Sequence, residues 1–137
     1  MIDKLFIEKN SNQIIEYLNE LELIVNKSDD EIKSNSLLYH TAERLLQLIV
    51  DSMIDINIHL IKEGKLNVPD DLQSTFLTLA NNKIIPSEFA DKIAPVVGVR
   101  NRLVHRYETL DKNIFITNLK KNFSDFKQYL IYIEKII

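Results

Sequence analysis

Apolar residues recur at three-, four- and seven-residue spacings along nearly the whole chain, the rhythm of amphipathic helices. Ile7, Ile14, Leu18, Leu21 and Val25 mark the first, predicted over about residues 2–25, with Asn10-Ser11-Asn12 as a weak point inside it. Ser28-Asp29-Asp30-Glu31 reads as a capping box, Ser28 as N-cap and Glu31 reaching back, and opens a short helical turn. Ser34-Asn35-Ser36 offers a second cap, and a long helix is predicted over Ser36–Glu63 with Gly64 as its terminator. Its apolar positions, from Leu37 and Leu38 to Leu60 and Ile61, cover most of the circumference. His40, Arg44, Gln47, Asp51, Asp55 and Lys62 are left in one narrow polar stripe. A helix apolar nearly all round must be covered on more than one side. The pattern therefore predicts that it serves both the core and a two-fold interface with a second copy, with Ile54 on the facing surface. A single-chain bundle with this helix at its centre is the other reading.

Further on, Pro69-Asp70-Asp71 is expected to start a helix carrying Leu72, Phe76, Leu77 and Leu79, with negative charge at its positive end. Pro86 is placed as first residue of the next, whose buried side runs from Phe89 and Ile93 to Leu103 and Val104. Pro95 lies inside that pattern and predicts a kink. Asp111 is the expected N-cap of a last helix in which Ile116, Leu119, Phe123, Phe126, Leu130, Ile133 and Ile137 repeat in heptad rhythm. That spacing reads the aromatic residues of this helix as core and not as a base-stacking platform. The fold class is all-α: a bundle of four main helices plus a shorter one.

Length and composition narrow the picture. The 137 residues suit one domain, residues 1–137. Without cysteine there are no disulfides or thiolate metal sites, which fits a cytoplasmic location. The first residues do not form a signal peptide, and no apolar run is long enough for a bilayer, so no membrane role is expected. A net charge of −3 argues against bulk electrostatic binding of nucleic acid. Yet residues 98–121 hold six cationic side chains against two acidic ones, so a local anion site is possible.

Within that segment lies Gly98-Val99-Arg100-Asn101-Arg102-Leu103-Val104-His105-Arg106-Tyr107. Arginine grips phosphate with a planar fork of donors, and histidine exchanges protons near neutral pH, the kit that phosphodiester chemistry needs. Gly98 offers a bare backbone spot that a neighbour can approach. At about 100° per residue, Arg100 and His105 lie about 140° apart on one helix. One copy therefore does not bring both to a point, whereas two copies meeting across a two-fold axis can share a cleft. Spacing alone better describes solvated helix-end residues, and a Tyr107 ring packed on Leu103. Asp55 and His59, four residues apart, read as a local ion pair more readily than as a metal site.

The run Arg100-Asn101-Arg102-Leu103-Val104-His105-Arg106-Tyr107, followed by Leu110-Asp111, resembles the signature of the HEPN toxins paired with minimal nucleotidyltransferase antitoxins. That motif is Arg, four residues, His, one residue, Tyr, with Asn after the Arg. Arg100, Asn101, His105 and Tyr107 all match. The segments Ala42-Glu43-Arg44-Leu45-Leu46-Gln47, Asp55 to His59 and Ile84-Ile85-Pro86 also look familial, so the similarity covers most of the chain. The resemblance implies a homodimeric HEPN bundle and a metal- and cofactor-free RNA endonuclease, the toxin of a type VII toxin–antitoxin pair. Arg100, Asn101 and His105 would be catalytic, Arg102 and Arg106 would contact RNA, and products would end in 2′,3′-cyclic phosphate. Tyr107 would receive AMP from the nucleotidyltransferase antitoxin. The alternative is a non-catalytic helical dimer that binds such a partner, or a nucleotide, through the same cleft.

Overall fold

The computed structural model describes residues 2–105 and 111–137, and those residues are all-helical. The order is α1 (Lys4–Val25), α2 (Asp29–Ser34), α3 (Ser36–Glu63), α4 (Ser74–Asn81), α5 (Ser87–Ile93), α6 (Val96–His105) and α7 (Lys112–Glu134). Helix α3 is the axis: α1 makes its largest interface, and α2, α4 and α6 pack around the rest. No helix among the described residues is long and apolar enough to cross a membrane.

Helix starts follow local chemistry. Asp3 caps α1 by accepting from the Phe6 N–H, and Asn10-Ser11-Asn12 does not interrupt that helix. Ser28 Oγ accepts from the Glu31 N–H at 3.2 Å, half of the expected capping box; the Glu31 carboxylate meets the Ser28 hydroxyl. Asn35 Oδ1 takes the N–H groups of Leu37 and Leu38 and sets the start of α3 at Ser36. Asp111 caps α7 through the Ile114 N–H.

Two boundaries differ from expectation. Helix α4 begins at Ser74, not at Pro69. The Asp71 carboxylate holds both the N–H and the hydroxyl of Ser74 at 2.8 Å, so Pro69 to Asp71 form the approach and the cap. Pro95 does not kink one helix but divides it into α5 and α6. The Val97 N–H bonds the Ala94 carbonyl and the Gly98 N–H bonds the Pro95 carbonyl, a tight turn that re-aims α6 onto α3.

The expectation that Ile54 of α3 faces a second copy is overturned. Ile54, the proposed dimer-face position, is only 5% exposed in the single chain, and Ile49, Val50, Met53 and Ile61 are fully buried. Neighbours from the same chain cover most of the apolar surface, with Leu37 at the N-terminal end left 76% exposed, so most of α3 is core and its girth alone does not call for a second copy.

A polar thread crosses this core. The Tyr129 hydroxyl of α7 donates to Asn57 Oδ1 of α3 at 2.6 Å and lies 3.2 Å from the Met53 carbonyl. Asn57 Nδ2 donates to Thr75 Oγ1 of α4, whose hydroxyl donates to the Leu72 carbonyl. Every partner is satisfied, so the thread fixes the relative register of three helices. Tyr129→Phe strands Asn57 Oδ1 and should cost about 1–3 kcal/mol, read as a lower Tm. Burial also pushes the Tyr129 phenol well above its ordinary pKa, and burial with the Glu43 and Asp111 carboxylates pushes Tyr39 up to about 12. The unfolded phenols ionise near pH 10 while the folded ones keep their protons, so this stability is present below about pH 10 and lost as pH rises beyond it. The alkaline decline in Tm should be shallower in Tyr129→Phe; an unchanged Tm and decline would remove the thread from the stability of the fold.

Candidate active site on helix α6

Helix α6 turns Val96 and Val97 into the core and leaves its other face to solvent. Arg100 lies on the flank toward α3. Its Nε donates to Asp51 Oδ1 at 2.6 Å, and its Nη1 donates to Asn101 Oδ1 at 3.0 Å. The two side chains of the ion pair are 20% and 35% exposed, so they are partly sheltered from water. Charge-assisted bonds of this length hold a guanidinium in one orientation. Its remaining N–H groups have no partner among the described residues.

Gly98, Asn101 and His105 follow at three- and four-residue steps and share the open face of α6. Among the described residues nothing lies within 4 Å of the place where a Gly98 Cβ would stand, so none of them makes the close approach that its glycine permits. Asn101 is half-buried; Arg102 and His105 are exposed. The structure thus joins Arg100 to Asn101 directly and places His105 at the end of the same helix, on the face of Asn101 and about 140° around from Arg100. Arg106 and Tyr107 lie outside the described residues.

Asp51 is the residue of the candidate site that sequence reasoning missed. It stands in the polar stripe of α3, and the only signal was a carboxylate on an otherwise apolar helix. One turn on, the Asp55 carboxyl is pushed upward by burial and then by the negative charge of Asp51. Asp55 and His59 do not pair. His59 Nε2 accepts from the Asp3 N–H at 3.1 Å, and its ring lies 4.7 Å from that of Phe6, which ties α1 to α3. His40 bonds Glu43 Oε1 through Nδ1 at 2.8 Å. Among the described residues no three His, Asp or Glu side chains are grouped to hold a metal ion.

Residues 14–133 match the family described as ribonuclease HepT-like. The chain belongs to that family. This HepT-like chain is 35% identical over 135 residues to the tRNA nuclease HepT of Aphanizomenon flos-aquae, covering 98% of the chain and 90% of the relative. To the mRNA nuclease HepT of Shewanella oneidensis it is 31% identical over 85 residues, 62% of the chain and 64% of the relative. Its fold is that of the tri-AMPylated Shewanella oneidensis HEPN toxin solved in complex with its MNT antitoxin. The TM-score is 0.87 at 24% identity, over 95% of this chain and 97% of that one. The HEPN-type bundle expected from the Arg100–Tyr107 run is the fold observed.

Proposed function

We propose that this HepT-like chain is a cytoplasmic toxin of a type VII toxin–antitoxin pair: a homodimeric, metal-independent endoribonuclease silenced when a nucleotidyltransferase antitoxin transfers AMP to Tyr107. The observation that carries the reading is the guanidinium of Arg100. Asp51 and Asn101 hold it from two sides, which leaves an N–H edge for a phosphate on the helix that ends in His105. The names of the curated relatives, tRNA and mRNA nucleases, support an RNA substrate. The AMPylated toxin–antitoxin neighbour supports the mode of silencing.

In this mechanism two copies bring their α6 ends to one cleft. His105 of one copy takes the proton of a ribose 2′-OH as its oxygen attacks phosphorus. The P–O5′ bond breaks, and His105 of the other copy gives a proton to the departing oxygen. Arg100 stabilises the charge on the pentacoordinate phosphate. Asn101, whose carbonyl oxygen is committed to Arg100, keeps its Nδ2 donors for a phosphate oxygen. Arg102 and Arg106 hold flanking phosphates. The products are a 2′,3′-cyclic phosphate and a 5′-OH. In the silencing step the Tyr107 hydroxyl oxygen attacks the α-phosphorus of ATP, pyrophosphate leaves and the phenolic proton goes to solvent. The new phosphate charge enters the run that holds Arg100 and Arg106 and competes with RNA.

The test is purified protein with single-stranded RNA in chelator, read for cleavage and for end groups. Cyclic phosphate ends are expected, and their loss after co-expression with the antitoxin and ATP should accompany an AMP mass gain on wild type but not on Tyr107→Phe. No cleavage with antitoxin binding intact would favour a non-catalytic dimer. Sedimentation as a monomer at micromolar concentration would remove the shared cleft.

A further inference from the structure

A groove of about 550 Å³ opens between α5–α6 and α7, within the size range of small-ligand sites. One bank is Lys92, Pro95, Val96 and Val99; the other is Asn118, Lys121, Asn122 and Asp125, with Lys120 and Ser124 along its rim. The four main residues of each bank fall at three- and four-residue steps, so each bank is centred on one helix face. The two banks differ in chemistry. Pro95, Val96 and Val99 form an apolar floor, whereas the α7 bank is amide and charge.

We propose that this groove is a nucleotide subsite of the RNA strand, with the base on the apolar floor, its edge read by Asp125 and the two asparagines, and its phosphate held by Lys92 and Lys121. The assignment rests on the ribonuclease reading above for the source of the nucleotide, and on the groove itself for the chemistry. Asp125 is half-buried, and burial pushes its carboxyl upward against the opposing pull of Lys92. It accepts no hydrogen bond among the described residues, so an acceptor stands ready in a sheltered place. A carboxylate accepts only, which complements the N1–H and N2–H edge of guanine and not the acceptor at N1 of adenine. Asn118 and Asn122 each offer a donor and an acceptor for a base or ribose edge.

The cations divide by use. Lys120, on the rim, is spent: its Nζ pairs with Asp29 and donates to the Lys27 carbonyl. The Lys121 side chain makes no hydrogen bond or ion pair among the described residues, so its ammonium remains for phosphate. Position favours a strand over a lone nucleotide. Val99 of the floor and Arg100 are consecutive on α6 and about 100° apart around it, so the groove and the proposed phosphate site occupy neighbouring flanks of one helix.

The experiment uses wild-type protein and 2′-O-methyl oligonucleotides, which cannot be cleaved, so binding is read whether or not the chain is a nuclease. Guanine-containing oligonucleotides should bind about tenfold tighter than adenine counterparts, and Asp125→Asn should erase that preference. Lys121→Glu should weaken all sequences alike and flatten the salt dependence. Where cleavage occurs, both variants should raise KM and leave kcat unchanged, with Tm held. Binding that ignores the base and both substitutions would overturn the proposal. GMP binding in the groove as tightly as an oligonucleotide would assign it to free nucleotide instead of a strand. Antitoxin binding lost in these variants, with oligonucleotide binding intact, would make the groove a protein contact and also overturn it.

Discussion

His105→Ala should lower RNA cleavage by about 10²–10⁴-fold, the span that a positioned acid–base group contributes. His105 is exposed at the end of α6, so its truncation leaves the core untouched and the Tm close to wild type. In the two-copy cleft one histidine must be neutral and its mate charged at the moment of reaction. Rate against pH should then be bell-shaped in wild type. Single-turnover cleavage in chelator, with protein in excess, reads the chemical step without product release. Near-wild-type cleavage by His105→Ala, or a flat profile with chemistry rate-limiting, would take His105 out of the mechanism.

Arg100→Lys should cost about 10²–10³-fold in kcat, the usual loss when one donor to a developing charge is removed. The charge survives the change but the fork does not. A lysine ammonium has no Nε to rest on Asp51 and no planar edge to offer a phosphate. Asp51→Asn keeps an oxygen acceptor at nearly the same place and removes the charge that orients the guanidinium. Its expected effect is about tenfold on kcat with KM unmoved, a fraction of the about 10²-fold that misplacing a reacting group can cost. The double variant should be no worse than Arg100→Lys alone, because both act through one side chain. The Asp55 carboxyl should also titrate lower once the neighbouring charge of Asp51 is gone, though not to its ordinary value, since burial is the larger cause. If Asp51→Asn lowers Tm while kcat stays at the wild-type level, the pair is only a strut.

Much of the fold could be read from local chemistry, because caps and terminators act over three or four residues. Asn35 and Gly64 bound α3 where the sequence places its ends, and Asp111 opens α7 as expected. What escaped was what depends on distant partners. An apolar girth shows that α3 is covered but not by what, and α1, α2, α4 and α6 prove to be the cover. The heptad on α7 passes over Phe115 and Tyr129, both buried, because one packs beside Tyr39 and the other reaches Asn57. At the site, the Arg100–Tyr107 run was legible as a motif through the resemblance it carries. The Asp51 contact was not, since forty-nine residues separate the partners and only the packing of α6 on α3 brings them together.

The division at Pro95 gives α6 an independence that its sequence does not advertise. A helix of ten residues lies below the length that holds together unaided in water. Cut from α5, it borrows its order from α3, through Val96, Val97 and the Arg100–Asp51 pair. In the proposed mechanism the chemistry therefore rides on a unit that should open locally before the rest of the bundle does. On that reading catalytic competence and global stability become separate quantities, so a sequence change, a bound partner or a modification should switch off the one and leave the other unchanged.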